Sequence, residues 1–557
     1  MRCIIKALDT VRKLLVSVAS VVVLCLMAAG EARTFRTGVN PVALIIDGRP
    51  VEGGWRVSPE LNPDVLETTA SEIVFVSDKD TLEIADLKEW DSLDFVMVTD
   101  SGDSAFVRVD RKAVNPFENP DPKLLETSAS GMLSREQALF DIDALIFAIS
   151  QVHPDIFSVC RQEDLFRAVN RAKASLSDSV TPMQFYRASA PVVAMIGDGH
   201  TNLDFPYKSV FTGDLKRFPV FVDVLTDRSL ICTSSLDSVI SRGDRIVSVN
   251  GVSADSIVEA MMPYVSGERP HFRLSRIDAM FPALFHMLYA ADSYEVEYQP
   301  RGAKKILSHT FPAVTFGEIK QRCPTTESGK KKDMYSYSAD SLNDVAVMDF
   351  RSFYDAERME RFADSMFTDL REKNISNLII DIRDNGGGHS RVGDILLRYI
   401  SPEPFIQMDK ALIRISPLTS KLMGDAGVEP MFVFQEVDTS QYIKPLSVRE
   451  GHYTGNVYLL TSNKTFSSAG SFAWAFKECG MGTVVGEETG GMNVCYGDIL
   501  QYTLPVSRLT AYISFKRFWQ LRADENDIHG TLPDVAVPAA DALDAAMKLV
   551  KTNRRGR

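Results

Sequence analysis

From Asn343 to Arg557, short apolar segments alternate with longer amphipathic ones, and this alternation constrains the fold more than any other feature. The short segments predict strands at Ala346–Phe350, Leu378–Ile382, Val457–Thr461 and Thr483–Gly486. The longer segments predict helices at Glu357–Lys373, Val392–Tyr399, Ser468–Cys479 and Ala540–Val550. Such repeats pack helices on a largely parallel sheet, whose functional residues lie at the carboxyl ends of the strands. The region is therefore predicted to be a layered α/β domain.

The segments before this domain predict further modules. Short extended runs suggest a small β-rich module at Val42–Ile46, Glu72–Val76, Phe95–Val98 and Ser104–Val109. A proline-rich linker, Asn115-Pro-Phe-Glu-Asn-Pro-Asp-Pro, follows them. Ser134-Arg-Glu-Gln is a capping-box pattern that opens a helical region. Its predicted helices are Ala138–Val152, Glu163–Leu176 and Pro182–Ile196. The sequence thus predicts a β-rich module at 33–121, a helical domain that carries His200 at 128–204, a further module at 205–311 and the α/β domain at 335–557. The segment 1–32 is described below.

Between Phe205 and Phe311 the pattern returns to strands, and its centre is Arg242-Gly-Asp-Arg-Ile-Val-Ser-Val-Asn-Gly-Val252. A GD turn, an apolar strand and an NG turn precede the helix-like Ala254–Met262. This arrangement resembles the hairpin of a PDZ domain, and an ordinary β-hairpin is the alternative. A PDZ-like module implies that an extended peptide adds to the edge of its sheet.

The first segment has the layout of a secretory signal peptide. Basic residues from Arg2 to Lys13 precede the apolar run from Leu14 to Ala29, and Gly30-Glu31-Ala32 supplies a cleavage site. The run of 16 residues is shorter than the roughly 20 that span a membrane, although an uncleaved anchor is the alternative. We therefore expect an exported protein, periplasmic or extracellular and associated with the cell envelope, with no stable membrane span after cleavage.

Charge and cysteine content exclude several classes of function. The formal net charge is −13 and no basic stripe is present, which argues against a nucleic-acid partner. Five cysteines lie beyond the first segment, at Cys160, Cys232, Cys323, Cys479 and Cys495. They contain no CxxC pair, which excludes a zinc ribbon, and we expect buried thiols rather than disulfides. No residue set calls for a metal or an organic cofactor.

Two turns that follow predicted strands could carry chemistry. In Thr465-Phe-Ser-Ser-Ala-Gly470, a serine at a strand-to-helix junction lies at the positive end of the helix dipole, which suits a nucleophile. The alternative is a helix N-cap, for which serine is among the preferred residues. In Asp381-Ile-Arg-Asp-Asn-Gly-Gly-Gly388, successive glycines can aim N–H groups at a substrate carbonyl. This turn is neither a P-loop nor a GxGxxG motif, since Arg391 stands where the last glycine belongs.

Three histidines, His200, His389 and His529, lie in turns, where a solvated loop residue is the alternative to a functional one. GxSxG and HExxH are both absent, so lipase-like hydrolases and zincins lose their support.

Taken together, these pieces resemble the carboxy-terminal processing (tail-specific) protease family from about Ser134 onward. Four motifs occur in the family order: Gly-Asp-Gly-His200-Thr, the PDZ-like segment, Asp381-Ile-Arg-Asp-Asn-Gly-Gly-Gly388, and Thr465-Phe-Ser467-Ser-Ala followed by Val485-Gly-Glu-Glu-Thr-Gly-Gly491. The resemblance implies a crotonase/ClpP-like α/β catalytic domain in a multidomain α/β chain.

The function implied is that of an exported serine endopeptidase acting on peptides or unfolded proteins. One alternative is a catalytically inactive peptide-binding protein on the same fold. Another is an acyl-thioester enzyme on a crotonase-like core, although nothing in the sequence resembles a coenzyme A pocket.

The resemblance also assigns roles to individual residues. Ser467 is the nucleophile, and Gly387 with the N–H of Ser468 forms the oxyanion hole. Relatives with a Ser–Lys dyad carry the lysine 25 residues after the serine, but that position is Met492 here. A thioether cannot accept a proton at neutral pH, so the dyad is absent. The chain therefore resembles the branch of the tricorn protease, whose base is an earlier histidine, matched here by His200.

In that branch an acidic residue lies six positions before the proline of a late Pro-Asp, which gives Asp527 before Pro533. Glu525 is the neighbouring candidate, and His529 is a weaker alternative base. The carboxylate could orient either the base or the substrate. Because the base must be neutral to accept a proton, and free imidazole has a pKa of about 6.5, we expect activity to fall as the pH drops below about 6 to 7.

Overall fold

The computed structural model describes residues 41–46, 49–57, 74–76, 81–83, 92–98, 104–110, 117, 120–126, 131–210, 215–237, 239–322, 333–424, 431–436 and 441–555. The segment 1–32, Cys323 and part of the proline-rich linker lie outside these residues. Contacts divide the chain into two compact units, Met1–Ala113 and Val114–Arg557. Among the described residues, no helix combines the length and the hydropathy that a membrane span requires.

The first unit contains one antiparallel sheet of six strands. The strands are β1 (Pro41–Ile46), β2 (Arg49–Val57), β3 (Val74–Val76), β4 (Thr81–Glu83), β5 (Ser92–Val98) and β6 (Ser104–Asp110). Their order is β4-β3-β2-β1-β5-β6. The four extended runs predicted from the sequence fall on β1, β3, β5 and β6.

The second unit opens with the predicted helices. They are α1 (Arg135–Val152), α2 (Gln162–Ala174) and α3 (Pro182–Ala194), with the short strands β7 (Leu133–Ser134) and β8 (Ser179–Val180) beside them. The capping box at Ser134 is confirmed, because its hydroxyl accepts from the N–H of Gln137 and the Gln137 side chain accepts from the N–H of Ser134. After α3 the Gly-Asp-Gly-His turn leads into β9 (Asn202–Leu203) and the short helix α4 (Tyr207–Val210).

A mixed region of strands and helices follows. Its strands are β10 (Val220–Val224), β11 (Leu230–Ser235), β12 (Arg245–Val249), β13 (Val252–Ser253), β14 (Ser293–Gln299) and β15 (Leu307–Pro312). They form an antiparallel sheet in the order β10-β11-β12-β14-β15, with β13 paired to β12. Asn250 and Gly251, with φ of 48° and 75°, make the NG turn between β12 and β13.

The helices of this region are α5 (Ala254–Met261), α6 (Pro270–Tyr289) and α7 (Phe316–Arg322). A mainly strand-forming pattern was predicted here, and α6, with 20 residues, is the main departure. Pro270 lies at its start, where a proline is tolerated, and Ile277, Phe281 and Leu284 recur at helical spacing and are buried.

The remaining strands are β16 (Tyr335–Asp340), β17 (Val345–Phe350), β18 (Asn377–Asp381), β19 (Met408–Ile415), β20 (Met431–Glu436), β21 (Asn456–Thr461), β22 (Thr483–Gly486), β23 (Val494–Thr503), β24 (Thr510–Gln520) and β25 (Val535–Ala536). The remaining helices are α8 (Ala356–Glu372), α9 (Ser390–Ile400), α10 (Pro417–Met423), α11 (Ser468–Glu478) and α12 (Ala542–Arg555).

The predicted parallel sheet is present. Strands β17, β18, β21, β22 and β25 run parallel in that order, and β16 adds to the edge antiparallel. Ile380 on one face packs in a core with residues of α8, α9 and α11, whereas Ile379 on the other packs with Ala546 of α12. Burial on both faces explains why these strands read as continuous apolar runs.

A second sheet, which the sequence analysis did not predict, has the order β20-β19-β24-β23 and is antiparallel. Strand β9 pairs with its β24, with Leu203 opposite Ala511. This pairing carries the Gly-Asp-Gly-His turn from the helical region onto the α/β region, and so positions His200.

The described cysteines, Cys160, Cys232, Cys479 and Cys495, carry free thiols.

Candidate active site

Ser467 lies in a strained turn between β21 and α11. Its backbone has a φ of 54° and a ψ of −132°, a conformation that residues other than glycine rarely adopt. Ser467 occupies the N-cap position of α11, yet its side chain makes no capping hydrogen bond. The N-cap alternative therefore does not account for the hydroxyl. A strained strand-to-helix turn that presents an uncommitted hydroxyl is the geometry of a nucleophile.

The glycine-rich turn packs directly against this serine. A Cβ added at Gly387 would lie 2.8 Å from the carbonyl oxygen of Phe466, the Cβ of Ser467 and the backbone nitrogen of Ser468. The hydroxyl of Ser468 donates to the carbonyl oxygen of Gly388 at 2.7 Å. Because β18 and β21 are adjacent parallel strands, the turns that follow them meet at one edge of the sheet. The structure thus brings the two predicted motifs together.

The two predicted oxyanion donors differ in availability. Within the described part of the chain, the N–H of Ser468 makes no backbone hydrogen bond, and it lies in the first turn of α11, where the helix dipole favours negative charge. The N–H of Gly387 instead donates to the side-chain oxygen of Asn385 at 2.9 Å. Ser468 is therefore ready to bind an oxyanion in this conformation, whereas Gly387 must first release Asn385.

Replacing Gly387 with alanine is expected to lower peptidase activity at least about 100-fold, because the new Cβ would displace the nucleophile turn and a misplacement of about 1 Å has that cost. The φ of Gly387 is +95°, so the substitution also strains the backbone. Gly386→Ala is the matched control, since an added Cβ there would meet nothing within 4 Å. Steady-state kinetics of both variants test this; equal activities would contradict the close packing.

His200 contacts the residue that precedes the nucleophile in the sequence. Its ring stacks on Phe466, which precedes Ser467, with ring centroids 4.5 Å apart. Phe466 also stacks on Phe272 of α6 at 4.0 Å. Among the described residues no hydrogen bond joins His200 to the hydroxyl of Ser467. The structure therefore brings the ring of the predicted base onto the residue that precedes the predicted nucleophile.

Asp198, which the sequence analysis did not single out, anchors the His200 turn. Its two side-chain oxygens accept from the backbone N–H of His200 at 2.9 Å and from the hydroxyl of Ser514 at 2.6 Å. The Nδ1 of His200 lies 3.7 Å and the Nε2 of His153 lies 3.4 Å from this carboxylate. Burial alone would raise the pKa of Asp198, but the two histidines outweigh it and hold that pKa well below its usual range. Asp198 therefore stays ionised at neutral pH.

The predicted acids Asp527 and Glu525 have other partners. Asp527 accepts from the backbone N–H of His529 at 3.0 Å, and its Oδ1 lies 2.7 Å from the Nδ1 of His529. Glu525 accepts from the indole N–H of Trp519 at 2.6 Å. In the described residues neither acid forms a hydrogen bond or ion pair with His200. In the structure Asp527 and Glu525 are therefore bound to groups other than the predicted base.

The other singled-out positions have ordinary roles. The Nδ1 of His389 accepts from the N–H of Arg391 and caps α9. His529 is held by Asp527, as described above. The backbone oxygen of Met492 accepts from the side chain of Gln520 at 3.2 Å.

Glu268, on the loop between α5 and α6, is a second acid near His200 that the sequence analysis missed. One His200 nitrogen and one oxygen each of Asp198 and Glu268 lie within 4.8 Å of one another, and the three match metal ligands in donor type. However, the guanidinium of Arg276 donates to the Gly199 carbonyl at 3.0 Å and is stabilised by the charges of both acids. A cation of the protein itself therefore already balances this cluster. A buried loop acid has no local sequence signal that could have identified it.

Comparison with known proteins relates part of this chain to a known family. The sequence model of peptidase family S41 matches residues 344–537, which include the five parallel strands of the α/β sheet and both turns at its edge. The crystal structure of mature CPAF is 13% identical, with a TM-score of 0.54 over 74% of this chain and 97% of that one. CPAF complexed with lactacystin is 12% identical, with a TM-score of 0.54 over 76% and 98% of the two chains. The photosystem II D1 C-terminal processing protease is 14% identical, with a TM-score of 0.38 over 74% and 97%.

Proposed function

We propose that this chain, a serine-type peptidase of the S41 tail-specific protease family, is an endopeptidase that cleaves peptides or unfolded proteins with Ser467 as nucleophile and His200 as base. The observation that carries the proposal is the geometry of Ser467. Its hydroxyl is uncapped, its backbone is strained, and Gly387 packs against it. A helix cap has no need of any of these features.

The reaction follows from the positions of the groups. The Oγ of Ser467 attacks the substrate carbonyl carbon while His200 takes its proton, and the oxyanion is bound by the N–H of Ser468 and then by that of Gly387. His200 returns the proton to the leaving amine, and a water molecule, activated by His200, hydrolyses the acyl-enzyme. The ring of His200, which stacks on Phe466, must move onto the hydroxyl of Ser467 in the reacting complex, since catalytic hydrogen bonds often tighten only with substrate.

Other parts of the proposal concern substrate handling. The sheet of β10 to β15 acts as a PDZ-like module that holds a chain end, supported by the β12–β13 hairpin with its NG turn and by α5 after it. Asp527 orients the substrate rather than the base, since its carboxylate is bound to His529. Met492, at the position of the dyad lysine, favours the branch resembling the tricorn protease. The N-terminal segment directs export to the periplasm or cell exterior.

The test is digestion of a mixed peptide library and of an unfolded protein by the purified chain, read by mass spectrometry. We expect internal cuts that are absent when a Ser467→Ala chain is used. Products formed equally by both chains would contradict the proposed nucleophile.

A peptide-binding protein without turnover is the second candidate. The missing hydrogen bond between Ser467 and His200 among the described residues favours it. In that case the library remains intact, and specific peptides are retained by the wild-type chain and by the Ser467→Ala chain alike.

A further inference from the structure

Two buried polar groups beside the proposed base have no hydrogen-bond partner. Both side-chain oxygens of Glu268 are buried and unpaired, and so is the Nδ1 of His200. A His200 nitrogen and a Glu268 oxygen lie within 4.8 Å of each other. Because buried polar groups in proteins are nearly always hydrogen-bonded, two neighbouring unpaired groups, one able to donate and one able to accept, point to a state in which they pair.

Asp198 is the competing acceptor, but its oxygens are engaged. They accept from the backbone N–H of His200 and from the hydroxyl of Ser514, and Asp198 is 3.7 Å from the Nδ1 of His200, beyond hydrogen-bond distance. Among the described residues the Glu268 oxygens form no hydrogen bond within normal geometry, and only the nearby backbone N–H groups of Glu268 and Gly199 act on its carboxylate. The uncommitted acid is therefore the better partner for a ring that must reorient.

The residues that follow Glu268 attach its loop to the catalytic region. The Nε of Arg269 lies 3.6 Å from a carboxylate oxygen of Glu488, and the Nε2 of His271 lies 3.1 Å from the carbonyl oxygen of Thr489. Both partners belong to the Gly-Glu-Glu-Thr-Gly-Gly turn, whose Gly490 N–H donates to the carbonyl of Thr465. The loop and the nucleophile turn are thus bound to the same segment.

Further titratable groups surround Glu268 and the neighbouring Asp198. Helix α6 contributes Arg276 and β23 contributes the thiol of Cys495, and both interact with Glu268 and Asp198. His153 at the end of α1 and the phenol of Tyr496 on β23 interact with Asp198. Burial, together with the negative charge of Asp198, raises the pKa of Glu268 to about 7, although His200 opposes the shift. Glu268 therefore changes charge in the pH range in which a serine peptidase works.

We propose that Glu268 is the positioning residue of the base: its carboxylate accepts the Nδ1–H of His200 and so turns the Nε2 toward Ser467. This inference rests on the proposed peptidase function. As Ser467 attacks, its proton moves to the Nε2 and later to the leaving amine. Above the pH at which its carboxyl group titrates, Glu268 is ionised throughout the reaction and stabilises the imidazolium.

The test compares Glu268→Gln and Glu268→Ala with the wild-type chain on a cleavable peptide found in the library. We expect kcat to fall about 100-fold in Glu268→Ala and less in Glu268→Gln, which keeps an acceptor, with KM within about threefold. The loss of a neighbouring negative charge moves the acid limb of kcat/KM to lower pH by about one unit in both variants.

Thermal unfolding separates this role from a structural one. A carboxyl whose folded-state pKa is raised destabilises the fold as the pH rises from about 4.5, its unfolded value, to about 7. At pH 8 the Tm of Glu268→Gln should therefore equal or exceed that of the wild type while its activity falls. Asp198→Asn is the contrasting variant. It removes the negative charge of the residue that anchors the His200 turn, and should therefore lower the Tm.

Unchanged kcat and an unchanged acid limb in Glu268→Ala would overturn the inference, as would an activity loss accompanied by a lowered Tm in both Glu268 variants. If the wild-type chain neither cleaves the library nor reacts with a fluorophosphonate probe, the proposed peptidase function itself fails, and the inference fails with it. If the wild-type chain cleaves peptides and the Glu268 variants have unchanged kinetics, the inference about Glu268 fails but the proposed peptidase function stands.

Discussion

Replacing Ser467 with alanine is expected to lower kcat at least about 10⁴-fold, with KM changed little, because removal of a serine nucleophile leaves only binding and oxyanion stabilisation. Ser468→Ala is the matched control. The Ser468 hydroxyl donates to the carbonyl of Gly388, so its loss should cost about 1 kcal/mol of stability and no more than about tenfold in activity. Kinetics on a cleavable peptide measure both effects. A larger loss of activity in Ser468→Ala than in Ser467→Ala would make Ser468 the nucleophile instead.

The strain at Ser467 gives this comparison a second readout. Glycine adopts the observed φ of 54° and ψ of −132° without the penalty that alanine incurs. Ser467→Gly should therefore be more stable than Ser467→Ala by about 1 kcal/mol, although both are inactive. Equal free energies of unfolding would show that the turn holds no strain.

Replacing His200 with alanine is expected to have the second large effect, a fall in kcat of about 10³-fold or more, because His200, whose ring stacks on the residue before Ser467, is the proposed general base. His389→Ala is the control, since His389 is exposed and caps α9. His529→Ala decides between the two predicted bases, and we expect it to retain activity within about tenfold because Asp527 holds its ring.

Steady-state kinetics of the three histidine variants measure these effects. A His529→Ala chain as inactive as His200→Ala, with the wild-type Tm, would contradict the assignment of the base.

The α/β region could be read from the sequence because its signals are local. Apolar runs buried on two faces predicted β17, β18, β21 and β22 to within one residue at each end. The turns after β18 and β21 carry Gly387 and Ser467, and parallel strand order alone brings them together. The capping box at Ser134 and the NG turn also depend only on neighbouring residues.

The surroundings of His200 could not be read in this way because they are assembled from distant segments. Strand β9 reaches β24 across more than 300 residues of chain, as the hydrogen bond of Ser514 to Asp198 shows with its separation of 316. Glu268 comes from a loop with no periodicity. The sequence carries no local pattern for such contacts, and the acid predicted from motif spacing, Asp527, has His529 as its partner.

The central claim is that Ser467 is the nucleophile, and active-site labelling tests it most directly. The purified chain would be treated with a fluorophosphonate, which reacts with activated serines, then digested with trypsin and mapped by mass spectrometry. We predict one adduct per chain, on Ser467, and none in Ser467→Ala or His200→Ala. An adduct on another serine, or peptide cleavage by a chain that remains unlabelled, would contradict the account.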